Sequence, residues 1–108
     1  MKAIVFGMMV CFAGATTAYA QDAAAKGEAV FTAQKCGLCH SVGAKGNKKG
    51  PLDGVGSKLS ADDLRAWVVD ATGMTAKTKA TRKPVMKNYN LPKEDLDALV
   101  AYMASLKK

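Results

Sequence analysis

The chain has 108 residues, 49% of them hydrophobic, and its 16 lysines and arginines against 9 acidic residues give a net charge of +7. This length predicts one small domain. A basic chain can attract acidic proteins, anionic membranes or nucleic acid. Nucleic acid is not expected as a partner, because only 6% of the residues are aromatic and few rings could stack on bases.

The N-terminal segment is typical of a secretory signal peptide. Lys2 supplies the positive start, residues 3–15 are apolar and uncharged, and the small-x-small tripeptide that ends at Ala20 fits a cleavage site. The apolar stretch is short for a membrane span. We therefore predict a cleaved signal peptide over residues 1–20 and one mature domain over residues 21–108. The mature protein is expected in the periplasm, without stable insertion in a membrane.

A first helix is predicted over residues 23–35. Gly27, Val30, Phe31 and Gln34 share one of its faces. A glycine in mid-helix costs about 1 kcal/mol relative to alanine. Such a glycine usually marks a close crossing with another helix.

Residues 36–40 read Cys-Gly-Leu-Cys-His, the attachment signature of c-type haem. Each thiol can form a thioether bond with a haem vinyl group, and His40 can bind the iron as proximal ligand. A zinc site would need two ligands in addition to the two thiols. The chain has no other histidine, and its remaining cysteine, Cys11, lies in the predicted signal peptide. We therefore predict one haem c, bound covalently through Cys36 and Cys39.

Two loop-rich stretches, residues 41–58 and 72–90, alternate with two further predicted helices, residues 60–71 and 92–106. The first of these helices begins with a good N-cap serine, and the second carries a clear amphipathic stripe. Trp67 lies at stripe spacing, so core packing is favoured over contact with a haem propionate. Loops this long are uncommon in a small domain unless they enclose a ligand. The fold class is therefore predicted as all-α, with three main helices and loops around one haem.

The second axial ligand of the iron cannot be a histidine from the same chain. The soft donors of the mature chain are Met74, Met86 and Met103. Met103 lies on the apolar stripe of the last helix, and Met74 could cap the core. Met86 lies in a lysine-rich loop, where no periodicity requires a methionine. Position alone thus favours Met86, with Met74 or an open iron as alternatives.

These residues together resemble class I c-type cytochromes, which are small monohaem electron carriers, over nearly the whole mature chain. The similarity includes Gly27 and Phe31, the motif at 36–40, Gly50-Pro51-Leu52, Met86 and Tyr102. The resemblance implies that Met86 is the distal ligand of the iron. It also implies that Pro51 supplies a backbone carbonyl to the second ring nitrogen of His40. Gly27, Phe31 and Tyr102 would form the contact between the first and last helices.

The resemblance further implies a monomeric one-electron carrier rather than an enzyme, with an iron ligated by His40 and Met86. The lysines would either dock redox proteins that have acidic surfaces or simply form a solvated surface. Two alternatives remain open. The chain could be a haem subunit of a larger oxidoreductase complex, or a gas- or peroxide-binding sensor if Met86 does not bind the iron.

Overall fold

The computed structural model describes residues 15–108, so most of the predicted signal peptide, with Cys11, lies outside the described residues. In chain order the elements are α1 (Ala15–Ala33), a 3-10 turn (Cys36–Leu38), β1 (Ser41–Val42), β2 (Lys45–Gly46), α2 (Val55–Lys58), α3 (Ala61–Val69), α4 (Ala71–Thr78) and α5 (Lys93–Ser105). The helical content confirms the predicted all-α class. None of the helices within residues 15–108 is long and apolar enough to cross a membrane.

The crossing of α1 and α5 forms the centre of the core. Gly27 is buried, and a Cβ built on it would collide with the carbonyl oxygen of Ala98 and the Cβ of Tyr102. The rings of Phe31 and Tyr102 meet edge to face, with centroids 5.7 Å apart and planes inclined by 68°. The predicted contact of Gly27, Phe31 and Tyr102 is therefore confirmed. The buried side chains of this core are Val30, Phe31, Leu64, Val68, Leu99, Val100, Tyr102 and Met103.

The helix α3 begins as the sequence predicts. The side chain of Ser60 accepts a hydrogen bond from the backbone N–H of Asp63 at 3.1 Å, which satisfies a free donor of the first turn. Leu64 and Val68 are the buried residues of this helix. Together they pack α3 against α5 and complete a three-helix core.

The predicted loop over residues 72–90 is wrong in its first part, because α4 occupies Ala71–Thr78. This helix has no amphipathic period, and its glycine and threonines are weak helix formers. Tertiary context stabilises it instead: Asp70 caps it by accepting from the Gly73 N–H at 3.1 Å, and Met74 is buried.

The predicted loop over residues 41–58 also contains short elements. The strands β1 and β2 pair antiparallel, Ser41 with Gly46 and Val42 with Lys45, around a turn at Gly43 with a φ of +59°. Two-residue strands are too short to show an alternating pattern, so the sequence carries no sign of this hairpin.

Candidate haem site

A cavity of about 560 Å³ lies between the core helices and the two long connecting segments. This volume falls within the range of cofactor pockets, about 300–1,000 Å³. Cys36, Cys39, His40 and Met86 all line it. Its apolar wall is formed by Leu52, Val55, Leu59, Leu64, Val68, Leu99 and Met103. Four of the five predicted site residues therefore face one cavity.

The end of α1 places the two cysteines. The helix stops at Ala33, before the predicted end, and Lys35 adopts a left-handed conformation with a φ of 57°. The 3-10 turn follows, and the Cys36 carbonyl oxygen accepts the N–H groups of Cys39 at 3.2 Å and His40 at 2.9 Å. Cys36 is half-buried and Cys39 is exposed. Burial raises the pKa of the Cys36 thiol. One tight turn thus presents both thiols and the imidazole.

The ring of His40 is oriented by a backbone carbonyl. Its Nδ1 lies 3.1 Å from the carbonyl oxygen of Gly50. A carbonyl oxygen can only accept, so Nδ1 carries the proton and Nε2 keeps its lone pair for a metal. Burial lowers the pKa of His40; the hydrogen bond to Gly50 opposes this shift, and the charge of Arg82 adds to it.

This contact corrects the predicted role of Pro51. The carbonyl that orients His40 belongs to Gly50, while Pro51 is exposed and does not line the cavity. The reason lies in the path of the chain. Gly50 O also accepts the Ser41 N–H at 3.0 Å, and the Leu52 N–H donates to Ser41 O at 2.8 Å. Pro51 sits between these bonds, opposite Ser41, where its missing N–H costs nothing.

Met86 lies in the segment between α4 and α5, half-buried against the cavity. Two nearby residues fasten this segment to the helices. The Tyr89 N–H donates to the Val68 carbonyl oxygen at 2.8 Å, and Asn88 Oδ1 accepts the Thr72 N–H at 3.0 Å. Asn88 Nδ2 also donates to Thr72 Oγ1 at 3.3 Å. The sulfur of Met86 is therefore carried by an anchored segment.

The other candidate sulfurs are placed differently. Met74 is buried in α4 and does not line the cavity, which disfavours it as a ligand. Met103 lines the cavity from α5, but it is also a buried member of the core, as its stripe position predicts. The ligation of iron by Met86 stays a prediction.

Trp67, Arg82 and Lys87 line the cavity but were not selected as site residues from the sequence. Trp67 is half-buried and lines the cavity, outside the hydrophobic core that its stripe position predicts. The feature of Trp67 that could have indicated this position is its indole N–H, which suits the border between an apolar wall and a polar rim. Arg82 and Lys87 also line the cavity, and no local pattern distinguishes them from the other basic residues.

The donor set fits a covalently bound haem c. Two thiols on one turn suit thioether attachment, and the free Nε2 of His40 and the thioether of Met86 suit iron. The apolar wall suits a porphyrin, and the cations of Lys35, Arg82 and Lys87 suit its carboxylates. Within residues 15–108, no cluster of three or more His, Cys, Asp and Glu side chains is arranged to hold a metal ion.

Fold and site together define a small helical haem protein with a covalent attachment turn. The Cytochrome c family model matches residues 24–107. The chain therefore belongs to the cytochrome c family, as its resemblance to the class I members predicts. Membership indicates haem-based electron transfer. Comparisons with curated proteins and with solved structures gave no match.

Proposed function

We propose that the protein is a periplasmic one-electron carrier, whose single haem c is attached through Cys36 and Cys39 and ligated by His40 and Met86. One observation carries the proposal: a single cavity is lined by both thiols, by an imidazole with a free Nε2 and by an anchored thioether. When bound, haem supplies a one-electron Fe(III)/Fe(II) couple.

The chain's own residues keep the site nearly unchanged between the two redox states. Gly50 fixes the ring plane of His40, while Asn88 and Tyr89 hold the segment of Met86. The apolar wall would reduce the contact of a bound haem with water. A thioether ligand favours Fe(II) and raises the potential relative to a second histidine. If His40 and Met86 both bind the iron, they would leave no coordination position free for a substrate, so electron transfer is favoured over catalysis.

The periplasmic assignment rests on the predicted signal peptide and on the attachment turn. In bacteria, haem is joined to such a turn outside the cytoplasm, so the protein must be exported. Cleavage after Ala20 would leave Cys36 and Cys39 as the cysteines of the mature chain, both used for attachment.

Replacing Met86 tests the ligand assignment. In Met86→Leu we expect complete loss of the thioether–Fe(III) charge-transfer band in the visible spectrum of the oxidised holoprotein. The side-chain volume is nearly conserved, so the packing of the segment should be retained. Met74→Leu is the matched control and should keep the band, because Met74 does not line the cavity. A wild-type protein with high-spin iron that readily binds carbon monoxide would favour the sensor alternative instead.

The mouth of the cavity suggests how a partner docks. Leu38 and Val85 line the cavity and are 71% and 43% exposed, and the lysines at 35 and 87 also line it. An apolar centre with basic neighbours suits a redox protein that presents acidic groups around an apolar contact. The protein is proposed to act as a monomer that forms such complexes only briefly.

Salt should weaken this docking. We expect the second-order rate with an anionic redox partner to fall by about tenfold between low and physiological ionic strength. A Lys35→Gln/Lys87→Gln variant should react more slowly at low salt, measured by stopped-flow absorbance. Lys107→Gln/Lys108→Gln removes the same charge from residues that do not line the cavity and should have a smaller effect. A rate independent of salt, or equal losses in both double variants, would contradict docking at the mouth.

A further inference from the structure

Arg82 connects the segment that carries Met86 to the loop that carries His40. A Cβ built on Gly50 would collide with Nη1 of Arg82 and with the carbonyl oxygen of Cys39. The guanidinium therefore rests directly against the backbone at Gly50, in the space that a side chain would fill. The carbonyl oxygen of this same residue accepts the hydrogen bond from His40 Nδ1.

The guanidinium of Arg82 lies close to the proposed iron site. Arg82 lines the cavity, whose wall is mainly apolar, although the residue is also exposed to solvent. Among the ion pairs of residues 15–108, all four involve Lys26, Arg65 or Lys93, and none includes Arg82. Its charge is thus not neutralised by a carboxylate of the described chain.

We propose that the charge of Arg82 raises the reduction potential of the bound haem iron. Fe(II) carries one positive charge less than Fe(III), so a fixed cation near the iron favours the reduced state. The small residue at position 50 is what allows this cation to lie against the His40 loop. The inference deepens the proposed function and rests on it, because it requires a bound haem.

The test is a spectroelectrochemical titration of the holoprotein, in which an electrode supplies the electron. In Arg82→Gln, the ratio of Fe(II) to Fe(III) at a fixed applied potential should fall by about fivefold. Lys83→Gln is the matched control, since it removes the same charge from the neighbouring position, which does not line the cavity. That ratio should change by less than about twofold in the control. Arg82→Lys restores the charge and should keep most of the wild-type potential.

Equal shifts of the reduction potential in Arg82→Gln and Lys83→Gln would overturn the proposal, because net charge alone would then explain both shifts. A potential in Arg82→Lys as low as that in Arg82→Gln would overturn it, because charge would not be the cause. Loss of the thioether band in Arg82→Gln would also overturn it, since ligand loss would explain the shift. Arg82→Met, with an unbranched apolar stem, replaces the glutamine variant if that variant yields no folded holoprotein.

The proposed function and this inference fail in distinguishable ways. A wild-type protein without covalent haem, or without the thioether band, would contradict the proposed function. A normal wild-type protein whose Arg82 and Lys83 variants share one potential would contradict the role of Arg82 alone.

Discussion

A Cys36→Ala/Cys39→Ala variant is expected to lose its cooperative fold. Without attachment, the cavity of about 560 Å³ would have to stay open, fill with water or collapse. An apolar cavity that stays empty or fills with water is unfavourable, and a small domain has only about 5–15 kcal/mol of stability in total.

The residues around the cavity explain why the cavity cannot collapse easily. Leu64, Val68 and Leu99 belong to the helix core and also form the cavity wall. The wall cannot close without moving α3 against α5. The segment of Met86 is tied to α3 and α4 by a few hydrogen bonds only, so it should detach first.

Circular dichroism measures this result directly. The double variant should show reduced helical signal and a broad, non-cooperative thermal transition. Leu38→Ala is the matched control, because it lies in the same turn, is 71% exposed and leaves both thiols in place. A double variant that melts cooperatively near the wild-type temperature would show that the chain folds without the haem.

The features that were predictable from the sequence are those that depend on contiguous residues or on a strong helical repeat of apolar residues. The attachment motif needs five neighbouring residues, and a single turn brings its thiols and imidazole together whatever the rest of the fold does. The crossing of α1 and α5 was predictable because Gly27 leaves space for a backbone, and aromatic residues lie at helical spacing beside it.

The features that were not predictable from the sequence are those that depend on the path of the backbone. A carbonyl oxygen has no residue identity, so whether Gly50 or Pro51 faces His40 is decided by the pairing of the chain with Ser41. The helix α4 has no apolar period and is formed by tertiary burial of Met74.

Trp67 shows a further limit of sequence periodicity. Side chains that face a haem cavity repeat with the same period as side chains that face a protein core, because both surfaces are apolar. The amphipathic stripe of α3 therefore predicts that Trp67 is turned inward, but does not show what it meets there. Its position at the cavity becomes visible only when α3, the Met86 segment and the attachment turn are brought together.

Gly27→Ala is expected to destabilise the holoprotein by about 2 kcal/mol, although alanine is the better helix former. Helix propensity alone would add about 1 kcal/mol of stability. The new Cβ would collide with the carbonyl oxygen of Ala98, which belongs to the backbone of α5 and cannot rotate away. Overpacking of this kind costs about 1–3 kcal/mol, and more where backbone must move. The packing cost therefore exceeds the gain in propensity.

Guanidinium unfolding of the holoprotein, followed by circular dichroism, distinguishes the two effects by sign. Ala29→Gly is the control, because Ala29 is exposed on the same helix, so its replacement changes propensity without touching α5. It should cost about 1 kcal/mol. If Gly27→Ala instead raised the guanidinium concentration at the midpoint of unfolding, α1 and α5 would have room to separate. The close crossing would then not be needed for stability. A lowered midpoint with an unchanged denaturant slope would show that the crossing depends on the absence of a side chain at position 27.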